Sequence, residues 1–134
     1  MAIGVTALAA GCGTAAQPTA AGLMTAASAY WTDLSLRTVP SLSAAYGYLD
    51  PSQQLRCPEP AWQRAAGKAT SFSDVQVSDP IISSDDGRIS VKVTYLVVGF
   101  MQRDPDLPTG TYSSNWRWES SSWRVVSPGC ASTP

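Results

Sequence analysis

The spacing of apolar residues changes once along this chain, and the change limits the folds open to it. Up to Gly67 apolar residues recur at intervals of three and four; from Phe72 onward they alternate with polar ones. A period near 3.6 gives one stripe of a helix to a core, whereas a period of two gives one face of a strand. Leu23, Met24, Ala27, Tyr30, Trp31 and Leu34 mark a first amphipathic helix from Ala21 to about Thr38, which Pro40 closes. Ser41 is placed to cap a shorter second helix whose Leu42, Ala45, Tyr46 and Leu49 share a face, and Asp50-Pro51 begins a further turn. Pro58 opens a third helix around Trp62, and Gly67 is placed to end it.

In the second half, Ile89, Val91, Val93, Tyr95 and Val97 alternate along a strand from Ile89 to Met101, and Leu96, Val98 and Phe100 make its far end apolar on both faces. A preceding strand, Phe72 to Ile82, joins it through an Asp85-Asp86-Gly87 turn. After the loop from Arg103 to Gly110, Tyr112, Trp116 and Trp118 alternate with polar residues, and Trp123 and Val125 follow three serines. Opposing Trp118 to Trp123 keeps the large apolar residues on one face, whereas a slip of one residue opposes Trp118 to Arg124. That register predicts a four-residue loop from Glu119 to Ser122.

Helices followed by about four antiparallel strands define an α+β domain, its N-terminal helices packed on one face of a curved sheet. A hydrophobic content of 44%, with five Trp and five Tyr, is enough for one packed core and argues against wholesale disorder. Nine Lys and Arg balance ten Asp and Glu, with no basic block to follow a phosphate backbone, so nucleic acid is not an expected partner. Histidine is absent, which removes the commonest general base and metal ligand.

Residues Met1 to Ala10 (MAIGVTALAA) are uncharged and mostly apolar or small, and Gly11 and Cys12 follow. Ten residues are too few to span a bilayer. The stretch resembles a bacterial lipoprotein signal ending in a lipobox. In that family cleavage before the cysteine leaves it as the new N-terminus, with diacylglycerol on its sulfur and an acyl group on its nitrogen. The resemblance implies a signal peptide over residues 1–11, lipidation at Cys12, and a protein held on the extracytoplasmic side of the cell membrane. Several acyl chains, at ~0.8 kcal/mol per buried methylene, hold such a protein firmly. The small, proline-bearing segment from Cys12 to Ala21 suits a tether ahead of a domain over residues 22–130 and a tail over 131–134. The competing reading is an Ala-rich tail with a free thiol. Setting Cys12 aside leaves Cys57 and Cys130, an even pair expected to form a disulfide outside the cytoplasm, the alternative being two unrelated buried thiols.

The order of helix, helix SLSAAYGYLDPSQQLRC, helix PEPAWQRAAG and strands ending in NWRWESSSWRVVS resembles the NTF2-like (cystatin-like, SnoaL-type) superfamily over about Ala21 to Ser127. Its Ala45-Tyr46-Gly47-Tyr48-Leu49-Asp50-Pro51 segment and its closing hairpin are the parts that match. Such domains form a cone around an apolar pocket, which here Tyr30, Trp31, Tyr46, Trp62, Tyr95, Trp116, Trp118 and Trp123 would line; aromatic residues at these spacings equally suit a plain core. Catalytic members carry an acidic group inside the cone, so Asp33, Asp74, Asp79 and Glu119 come into question, although none stands in a motif. Asp104-Pro105-Asp106 lacks the further oxygen ligands of a calcium loop. No phosphate loop, nucleophile elbow or metal-binding helix motif occurs, and neither cofactor nor metal is expected. The expectation is a non-catalytic envelope lipoprotein that binds a small apolar molecule or an envelope protein. The alternatives are an accessory subunit of a transport or secretion complex and, behind it, a SnoaL-type or isomerase-like enzyme.

Overall fold

The computed structural model describes residues 17–68, 71–96, 109–126 and 130. Helix α1 (Ala20–Leu36) starts at Thr19, whose side chain accepts from the Gly22 N–H, and stops at Arg37, which turns left-handed with φ 59°. Helix α2 (Val39–Tyr46) follows almost at once. Pro40 therefore does not close the first helix; it lies in the first turn of the second, where its missing N–H costs nothing. The cap is likewise Thr38 and not Ser41. Thr38 and Ser41 form a reciprocal capping box, each side chain bonding the other's backbone N–H. Leu49 falls beyond α2 and forms a parallel bridge to Val125. Helices α3 (Pro51–Arg56) and α4 (Glu59–Lys68) complete the helical half, and Gly67 lies within the last turn of α4.

Strands β1 (Phe72–Ser83), β2 (Asp86–Tyr95), β3 (Thr109–Glu119) and β4 (Ser122–Val125) form one antiparallel meander in the order β1-β2-β3-β4. The fold is thus α+β, helices first and sheet second. The β1–β2 turn is Ser84-Asp85 and starts one residue earlier than the Asp-Asp-Gly reading, because Ser83 pairs with Asp86 and Ser84 takes the left-handed position at φ 58°. Gly87 serves packing instead: a Cβ there would lie 2.9 Å from both Leu23 Cδ2 and Trp123 Cζ3. Trp118 does oppose Trp123, as face matching requires. Glu119 also pairs with Ser122, so the expected four-residue loop shrinks to Ser120 and Ser121, both left-handed at φ 52° and 62°. The expected far end of the long strand, beyond Leu96, lies outside the described residues.

β1 departs from simple alternation. Its register against β2 slips between Ser73 and Gln76 and again between Ser78 and Ile81, and each bulge contains an aspartate with positive φ, Asp74 at 51° and Asp79 at 54°. Aspartate tolerates this region better than most side chains, and Pro80 occupies a bulge where no ladder N–H is needed. Bulges and a proline also blunt an edge strand against stray pairing. Buried residues on the opposite side of β2 and β3, including Ile89, Val91, Val93 and Trp116, face Leu23, Ala27 and Tyr30 of α1 in one core. Cys57 and Cys130 are disulfide-bonded with Cα atoms 5.4 Å apart, tying the α3–α4 junction to the C-terminal region.

Candidate functional site

All but one of the aromatic residues expected to line a pocket fall into three clusters of touching rings. Tyr30, 6% exposed, is the hub of the first, meeting Trp31, Tyr48 and Trp116 edge to face with centroids 6.0, 6.2 and 5.7 Å away. Trp31 also stacks on Tyr112 at 5.5 Å. Tyr46 packs on Trp62 at 5.6 Å, and its hydroxyl donates to the carbonyls of Gln54 and Cys57. Trp118 and Trp123 meet at 5.4 Å across the β3–β4 pair. Tyr95 stands apart, at the end of β2, where its ring crowds the Cα of Gly110.

A polar residue that the sequence reading passed over organises the first cluster. Ser114 is buried on the core face of β3, and its hydroxyl oxygen accepts from Trp116 Nε1 at 2.9 Å and from Trp31 Nε1 at 3.3 Å. Its signal in the sequence was parity, since it shares a face with Tyr112, Trp116 and Trp118.

Of the four carboxylates in question, Asp74 and Asp79 are exposed and placed by their bulges. Glu119 is partly buried at the end of β3, and its Oε1 has no hydrogen-bond partner among the described residues. Asp33 differs from these. It lies on α1 beside an open groove of about 540 Å³ between that helix and β1, lined by Met24, Thr25, Ser28, Ala29, Thr32, Asp33 and Val77. Burial pushes its carboxyl above the ordinary value. A second groove of about 300 Å³ lies between α2 and β4 and is lined by Tyr48, Trp123 and Arg124, among others. Asp33 and Asp74 lie on different elements, α1 and β1. Among the described residues no three His, Cys, Asp or Glu side chains gather closely enough to hold a metal ion. No helix among them is long and apolar enough to cross a membrane. Cys12 and the Asp104-Pro105-Asp106 loop lie outside the described residues.

Neither protein-family models nor curated proteins match this sequence. Among solved structures, the chain is similar to a Campylobacter jejuni protein provisionally described as an NTF2-like transpeptidase, with 14% identity, a TM-score of 0.49, and coverage of 73% of this chain and 91% of that one. Likeness at this level says nothing of activity.

Proposed function

We propose that this protein is a lipid-anchored, non-catalytic binding module of the cell envelope, built on an NTF2-like domain, which engages a protein partner through its surface. The observation that supports the reading is the mutual packing of the aromatic rings among the described residues. Tyr30, Tyr48 and Trp116 pack edge to face on one another, and the grooves beside α1 and between α2 and β4 are open to solvent. The anchor reading rests on Cys12 and on the short connection behind it. Only Gly13 to Thr19 separate that cysteine from α1, a stretch that spans at most about 25 Å when extended. The domain would therefore work close to the bilayer surface.

Two measurements test the reading. The wild-type chain should fractionate with membranes of its host, and Cys12→Ala should move to the soluble fraction; retention of the variant in the membrane would sink the anchor. Native mass spectrometry of the protein recovered from envelope extract should show the bare chain or a protein complex. A small apolar mass released on denaturation would overturn the surface reading in favour of a carrier.

A further inference from the structure

The corner between α1 and α2 leaves two aliphatic side chains in solvent. Leu36, the last residue of α1, is 58% exposed and Val39, the first of α2, is 70% exposed. Both lie outside the core cluster. Three cations stand beside them. Arg37 lies between the two in the chain, and its Nη1 donates to the Gly67 carbonyl at 2.9 Å, which brings the corner against the last turn of α4. Lys68 follows Gly67 directly, and Arg64 lies one helical turn before Lys68, so these two exposed cations share a side of α4. Neither the Arg64 nor the Lys68 side chain makes a hydrogen bond or ion pair among the described residues. The nearest acidic residues along the chain are turned to other places. Asp33 lines the groove on the β1 side of α1, and Glu59 stands at the opposite end of α4, where its carboxylate accepts from Gln63. An apolar centre with positive charge at its rim fits a surface of opposite sign that carries an apolar side chain. The corner also lies at the end of α1 away from Thr19, about 25 Å along the 17-residue helix, so the connection to Cys12 leaves from the opposite end.

We propose that this corner docks an acidic segment of a protein partner, with an apolar side chain of that segment on Leu36 and Val39 and its carboxylates facing Arg64 and Lys68. Arg37 acts by holding the corner against α4. The assignment rests on the reading of the chain as a module that binds protein through its surface, and it names the place and the chemistry of that contact.

The test is an amide-proton NMR titration of the full chain with a capped pentapeptide of leucine between two glutamate pairs. The same peptide with glutamine for glutamate, and one with glycine for leucine, serve as comparisons. The acidic leucine peptide should shift the amides of residues 36–39 and 64–68, and added salt should weaken it. Its affinity should fall about three- to tenfold when Arg64→Gln and Lys68→Gln are combined, as expected for two exposed charge pairs. Val39→Ser, or the glycine peptide, should cost about threefold. All three substituted residues are exposed, so the variants should fold, and an unchanged amide spectrum away from the corner verifies this. Arg56→Gln, an equal charge loss near the other end of α4, should leave the titration unchanged. Equal shifts from the glutamine peptide, shifts centred elsewhere, or insensitivity to the double variant would each overturn the site. Co-sedimentation of unlipidated Cys12→Ala chain with phosphatidylglycerol vesicles, lost in the double variant, would make the corner a lipid contact and overturn its assignment to protein. A small apolar mass in native spectrometry overturns the surface reading, whereas a protein complex that survives the double variant undiminished overturns this site and leaves that reading standing.

Discussion

Two indole N–H groups converge on one small hydroxyl at Ser114. A serine there satisfies donors that would otherwise lie in an apolar core, and leaving such a donor unpaired costs about 1–3 kcal/mol. Ser114→Ala should therefore lose at least that much in urea unfolding, more than removal of one exposed hydroxyl would cost. Tyr30 gives a second prediction. Burial holds its phenol well above the ordinary value. A folded-state value above the unfolded one favours the protonated form, so stability is fully present below about pH 10 and declines as pH rises from there. The urea midpoint should fall at alkaline pH, and Tyr30→Phe should reduce that fall. Gly87→Ala belongs at the same scale. Its methyl group would meet Leu23 and Trp123 at 2.9 Å, and overpacking of this kind typically costs about 1–3 kcal/mol.

At the scale of elements, β1 shows where a sequence pattern was present but unread. Its core-side residues run Phe72, Val75, Val77, Pro80 and Ile82, at steps of three, two, three and two. Each step of three contains a Ser-Asp pair and marks a bulge, so the two bulges are written as a short repeat that strict alternation hides. Asp79→Val should cost about 1–2 kcal/mol, because a β-branched side chain is placed at positive φ, while Asp79→Gly should be tolerated. Thermal unfolding of the pair separates backbone conformation from loss of charge. The α1–α2 corner teaches the opposite lesson. Pro40 reads equally well as a stop for one helix or a first-turn residue of the next, and the Thr38 cap decides between them. Thr38→Ala should cost about 0.5–2 kcal/mol in the same assay.

For the whole molecule, the Cys57–Cys130 bridge joins residues 73 apart in sequence. In the chain-entropy picture it stabilises the fold by about 4–4.5 kcal/mol, so Cys57→Ser with Cys130→Ser should lower the denaturant midpoint accordingly. Helix-then-strand order, the Trp118–Trp123 register and an even pair of cysteines after Cys12 were all legible from the residues. Each depends on neighbours along the chain or on face matching across one turn, which local spacing encodes. The groove was not legible, although Asp33 was noticed, because Val77 lies 44 positions further along. Nor did composition reveal which of the ten Trp and Tyr residues meet one another. Tyr30 meets Trp116 only once α1 packs on the sheet, and such contacts join side chains from distant elements whose separation no local pattern states. The sequence by itself determined the kinds of element, their order and the pairing of the last hairpin. Tertiary packing alone decided which aromatic rings meet and that Asp33 lies unpaired beside a groove, because both depend on distances between elements remote in sequence.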